Sequence, residues 1–173
     1  MEITAPDGTI LYAGNGEETT EFEINLSQTG AYTVTVEARH ASEMVFPIGA
    51  PNDGFAQYFI GQSYLAPLST QQVGICNVTF EPGCRNNWHI RHADKGGGQI
   101  LVCVAGRGYY QEDGKPAQEL HPGDVVNIPA GVKHWHGAAP DSWFSHLAVE
   151  VPGENGHSRW CESVSDEEYG KLK

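Results

Sequence analysis

Histidine is the residue type through which this chain can do chemistry, and its histidines gather in a few short stretches. GCRNNWHIRHADKGGGQILVCVAG, Gly83 to Gly106, carries His89, Arg91, His92 and Gln99. GDVVNIPAGVKHWHGA, Gly123 to Ala138, carries His134 and His136, and His146 follows in WFSHLAVEV. Imidazole nitrogens joined by an amide or carboxylate oxygen suit Mn, Fe, Co, Ni, Cu or Zn, and three protein ligands leave positions open for a substrate. An imidazole outside a ligand set titrates near neutral pH and can take and return a proton. Arg91 is different in kind: guanidinium stays protonated and has no lone pair to donate. On strand alternation Arg91 shares the inward face with His89, whereas His92 faces outward.

Such residues need strands that present alternate positions to one interior, and the chain supplies them. Gln72 to Phe80 alternates, with Cys76, Val78 and Phe80 on one side. In the run from Gln99 to Val104, Gln99, Leu101 and Cys103 face inward, while Ile100, Val102 and Val104 make a second apolar face. A strand that is apolar on both faces must be covered on both, here by the N-terminal segment or by another subunit. Asp113-Gly114 marks a hairpin turn, and Pro129-Ala130-Gly131 turns the chain so that His134 points inward. Gly96-Gly97-Gly98 reads as a flexible connection, Trp143 to Val151 as the last core strand, and 157–160 as polar tail. Prolines and glycines at 43–70 favour edge strands over helix. Ser165 and Glu168 form a capping-box pattern that predicts a short helix over 166–171. Residues 1–42 read as an acidic three-strand extension, with runs at 9–13, 21–26 and 31–37 and His40 as a solvated exit. Residues 43–173 form the main domain.

The two histidine stretches resemble the paired motifs of the cupin family. Five residues separate Gly83 from His89 and six separate Gln99 from Gly106, as in the first motif, although Arg91 stands where its second histidine belongs. Gly123, Pro129, Gly131 and His134 keep the spacing of the second motif. From about Val73 to Val149 the chain is similar to small single-domain bacterial cupins, namely the manganese-dependent hydroxynitrile lyases and the cupins linked to carboxymuconolactone decarboxylase-like proteins. VTFEPG, HPGDVV, KHWHGAAP and HLA carry that likeness. The resemblance implies an all-β fold, the cupin double-stranded β-helix or jelly roll, here with an extra N-terminal β segment and a short C-terminal helix. It places His89, Gln99 and His134 at ligand positions for a divalent transition metal (Mn, Fe, Ni or Zn). His92 is a fourth candidate, recruited through a bulge in the long spacer. His146 takes the place of a base or proton shuttle, and Cys76, Val78 and Glu150 become its pocket neighbours. Arg91 and His136 line the same pocket, with His136 equally readable as a partner bonded behind the ligands. Arg91 leaves three outcomes open: recruitment of His92, a weakened three-ligand site, or a cavity that holds an anion instead of a metal.

Composition narrows the partners. The net charge of −12 over 173 residues disfavours nucleic acid and anionic membrane surfaces. Neither a basic, apolar leader nor a CxxC pair among Cys76, Cys84, Cys103 and Cys161 is present, which predicts a reduced, cytoplasmic protein. The expected function is a metal-assisted lyase acting on a small oxygenated organic molecule, with His146 moving the proton. A metal-dependent dioxygenase and a non-catalytic cupin holding a small anion on Arg91 are the alternatives. The expected assembly is a homodimer through the outer face of Ile100 to Val104.

Overall fold

The computed structural model describes residues 2–4, 10–13, 33–35 and 44–172. The chain divides into two compact units, Met1–Arg39 and His40–Lys173. In the first, β1 (Glu2–Thr4) lies between β2 (Ile10–Ala13) and β3 (Thr33–Thr35) in an antiparallel sheet. The runs expected at 9–13 and 31–37 contain β2 and β3, while the run at 21–26 and His40 lie outside the described residues.

The second unit is built almost wholly from short strands. In chain order they are β4 (Ala50–Pro51), β5 (Phe59–Ile60), β6 (Ser63–Ser69), β7 (Ile75–Phe80), β8 (Arg85–Asn86), β9 (His89–His92) and β10 (Lys95–Gly96). Then follow β11 (Gln99–Gly106), β12 (Gly108–Glu112), β13 (Gln118–Leu120), β14 (Val125–Ile128) and β15 (Lys133–Ala138). β16 (Phe144–Glu150), β17 (Gly153–Glu154), β18 (His157–Trp160) and the helix α1 (Asp166–Tyr169) complete it. One antiparallel sheet has the order β14-β11-β16-β7-β6-β4. The other has β13-β12-β15-β8-β5, with β9 pairing both β15 and β18. Alternation decides what each strand buries: in β11 Gln99, Leu101, Cys103 and Ala105 are buried while the residues between them are only partly covered. Val78, Phe80, Leu101, Cys103, Tyr110, Leu120, Ile128 and Phe144, drawn from both sheets, form one apolar core.

A second apolar cluster anchors the C-terminal segment, with Trp88, Tyr109 and Trp135 meeting Val164 and Tyr169. Arg85, 4% exposed, donates to the Val164 carbonyl and pairs with Asp166. Its guanidinium also lies 4.4 Å from the Tyr169 ring centre. Tyr169 in turn donates its hydroxyl to the Ala138 carbonyl at 2.7 Å. The capping box on Ser165 and Glu168 is present, and the helix it starts, Asp166–Tyr169, ends two residues before the end of the span expected.

Three local expectations are corrected. Residues 157–160 are not free tail: β18 pairs with β9 in register His157↔His92 and Trp160↔His89. A polar edge strand exposed on one side carries no apolar alternation to announce it. The three glycines at 96–98 are not a loose connection, because Gly96 pairs with Gly153 and all three have φ between 63° and 94°. A side chain on Gly98 would place its Cβ 2.2 Å from the Ile128 carbonyl oxygen. The segment 43–70 also includes a 3-10 turn at Asp53–Tyr58, which has no side-chain cap at its start.

Candidate active site

β9 and β15 lie side by side with His134 directly opposite His89, and alternation brings His136 to the same interior two residues on. β11 contributes Gln99, and β16 contributes His146, opposite Cys103 on one side and Val78 on the other. Residues far apart in the chain thus meet between the sheets. Ring centres are 4.1 Å apart for His89 and His134 and 4.7 Å for His136 and His146. Nitrogens of His89, His134 and His136 lie within 4.8 Å of one another. His89, Gln99, His134, His136 and His146 are all at most 4% exposed, so the cluster is nearly dry.

Each ring is held in a specific way. His89 Nδ1 bonds the Asn87 carbonyl and His134 Nδ1 the Val132 carbonyl, both at 3.0 Å. A carbonyl can only accept, so Nδ1 carries the proton and Nε2 is left with its lone pair, the arrangement a metal-ligating histidine needs. His134 Nε2 and Gln99 Oε1 are buried with no hydrogen-bond partner among the described residues. His136 is clasped by Asn86: its backbone N–H donates to Asn86 Oδ1 at 3.0 Å, and the Asn86 amide donates to the ring from 3.1 to 3.2 Å. His146 stacks against Phe80 and Phe144, at 5.5 and 5.1 Å, and neither of its ring nitrogens has a hydrogen-bond partner among the described residues.

Burial sets the protonation of this cluster. Desolvation pulls His146 down to about 3 and His134 to about 4. Burial also holds His89 and His136 well below the ordinary imidazole value, and neighbouring histidines push them the same way. All four rings are therefore neutral at physiological pH, able to offer lone pairs or to accept a proton.

Arg91 sits at the edge of the cluster rather than within it. Its Nη1 donates to Glu150 Oε1 at 3.2 Å and to Ser158 Oγ at 2.8 Å. The charge is near enough to contribute to the lowered basicity of His89, His134 and His136. The His92 ring stacks on His157, centres 5.0 Å apart, not on the buried histidines. Val78 belongs to the core, Cys76 packs against it, and burial followed by the Glu150 charge raises the Cys76 thiol. Arg91, His92, Glu150, Ser158 and the backbone at Gly97 and Gly98 line a cavity of about 410 Å³. Two residues that touch the buried histidines are additions to the sequence reading. Asn86 is legible only as an Asn-Asn pair before His89, and Trp160, stacked on Tyr58 and 4.8 Å from the His89 ring, comes from the polar edge strand.

The donor set fits a borderline transition metal: two imidazoles anchored at Nδ1, an unpartnered amide oxygen and a third imidazole close by, with no thiolate or carboxylate among them. His136 already receives the Asn86 amide, whereas Gln99 Oε1 is buried with no hydrogen-bond partner among the described residues.

Comparison with known proteins finds relatives of this chain. Residues 76–149 match the cupin domain model. Over 124 residues the chain is 40% identical to the (R)-mandelonitrile lyase of Granulicella tundricola, covering 69% of this chain and 92% of that protein. A cupin-like protein from Thermotoga maritima superposes with a TM-score of 0.64 at 40% identity, covering 73% of this chain and 95% of that one.

Proposed function

This chain belongs to the cupin family, and from that premise we propose that it is a metal-assisted lyase cleaving a carbon–carbon bond in a small oxygenated organic molecule. The observation that carries the reading is the dry cluster of neutral imidazoles in which His134 Nε2 and Gln99 Oε1 have no hydrogen-bond partner among the described residues, with His146 beside it. His89, His134 and Gln99 would hold a divalent transition metal, which supplies Lewis acidity to a substrate oxygen when bound. The likeness to a mandelonitrile lyase makes a 2-hydroxy nitrile the natural probe.

In such a substrate His146 accepts the hydroxyl proton as the C–CN bond breaks. The O–H electron pair becomes the second bond of the carbonyl, and the C–C pair leaves on the cyanide carbon. His146 then returns its proton to cyanide, so the products are an aldehyde and hydrogen cyanide. Because burial disfavours the imidazolium, His146 relays the proton within one cycle instead of storing it. Phe80, Phe144 and the Asn86–His136 pair fix the ring and exclude water around it.

Metal analysis after loading with Mn, Fe, Ni or Zn, together with cyanide release from mandelonitrile, tests this reading. Bound metal with metal-dependent release is expected. Absence of both overturns it, and metal-dependent oxygen consumption without cleavage favours the dioxygenase alternative. We further propose a homodimer through the outer face of β11, where Ile100, Val102 and Val104 remain only partly covered.

A further inference from the structure

The 410 Å³ cavity adjoins the histidine cluster through two residues. Arg91 is two positions from His89 on β9, and Glu150 lies opposite Gln99 in the β11–β16 register. We infer that this cavity is the vestibule through which substrate reaches the cluster, and that Arg91 receives a carboxylate carried by the substrate. The preferred substrates are then small organic acids, a specificity that rests on the lyase reading of the same site.

Three observations converge on an anion. First, the chain has 10 Lys and Arg against 22 Asp and Glu, and two of its other arginines are committed. Arg85 latches the C-terminal segment, and Arg107 is shared by Glu119 and Asp141. Arg91 holds one carboxylate, Glu150, that is itself 63% exposed, and an ion pair open to water on that side is weak. Second, Glu150 shows what Arg91 accepts: a carboxylate already rests on Nη1, with the Ser158 hydroxyl as a second group at the same amine. Third, Arg91 Nε is shut off from solvent and has no hydrogen-bond partner among the described residues. A buried N–H without an acceptor is costly, and guanidinium binds carboxylates best through two parallel N–H groups. A substrate carboxylate that reaches Nε removes that cost, and Glu150 cannot do so while it sits on Nη1. At the same strand position a guanidinium offers a metal nothing, so its presence at the doorway is better explained by the substrate.

The test uses the full chain, freed of metal by dialysis, and two isosteric probes that differ in charge, benzoate and benzamide, measured by titration calorimetry. Benzoate is expected to bind at least tenfold more tightly than benzamide. Arg91→Gln should erase that preference, Arg91→Lys should keep part of it through charge alone, and Glu150→Gln should tighten benzoate while leaving benzamide unchanged. Equal binding of the two probes by the wild-type protein overturns the inference, and so does a preference that survives Arg91→Gln or a Glu150→Gln variant that binds benzoate more weakly. If Arg91→Gln does not fold, the Arg91→Lys and Glu150→Gln results decide alone. A carboxylate preference without cleavage of any hydroxy nitrile would leave this inference standing and remove the lyase reading. Cleavage of mandelonitrile without carboxylate preference would do the reverse.

Discussion

At the scale of single residues the site is a contest between lone pairs and charge. His89, His134 and Gln99 present unprotonated donor atoms, and Arg91 brings a permanent cation close to them. In a cavity of low effective dielectric that cation opposes a divalent ion. Arg91→His should therefore raise metal affinity by about tenfold or more, the scale at which groups around a metal site act, as read by competition with a chromophoric chelator. His92→Ala should leave that affinity unchanged, since its ring stacks on His157. His146→Ala should abolish turnover and retain bound metal; loss of metal would make His146 a ligand instead. Asn86→Ala leaves the His136 backbone N–H unpaired in a buried place and should cost about 1–3 kcal/mol of stability by urea unfolding.

At the scale of elements, close backbone approaches hold the strands that carry these residues. Gly98 enters β11 with φ at 94°, and its missing side chain lets the chain pass the Ile128 carbonyl on β14. Gly98→Ala combines left-handed strain with a hard clash and should destabilise by at least about 3 kcal/mol. Gly114, at the hairpin turn with φ at 75° and nothing within 4 Å of its would-be Cβ, bears only the backbone part. Gly114→Ala should cost about 1 kcal/mol, and paired denaturation curves will separate the two. The latch of α1 is a second such element, because Arg85 and Tyr169 tie the C-terminal segment to β8 and β15.

At the scale of the whole molecule, packing four neutral histidines between two sheets makes stability depend on pH. Each has a folded pKa below the unfolded value near 6.5, so in the interval between them the unfolded chain binds more protons. Stability is complete above about pH 6.5 and is lost as pH falls toward the folded values, about 4 for His134 and about 3 for His146. By linkage each of these two histidines should forfeit about 2 kcal/mol at pH 5, and His146→Leu should flatten the urea midpoint against pH in metal-free protein. The outer face of β11 makes the other prediction at this scale. Light scattering should give a dimer at micromolar concentration, and Val102→Glu should dissociate it.

What the sequence determined by itself was everything set by local spacing. Gly83, Gly123, Pro129 and Gly131 mark turns, and turns separated by alternating runs specify short antiparallel strands with His89, Gln99 and His134 facing one interior. The Ser165–Glu168 capping box is equally local and equally legible. Tertiary structure alone decided which strands neighbour one another, because hydrogen bonds between strands join residues with no fixed sequence offset. The pairing of β9 with β18 brought Trp160 against His89 and Ser158 against Arg91 from a stretch with no apolar period. The same non-local folding set Asn86 under His136, sealed His146 between Phe80 and Phe144, and turned Arg91 toward Glu150 at the edge of the cluster. Burial is a property of that assembled interior, so the neutrality of the four histidines arises only once the sheets have closed around them.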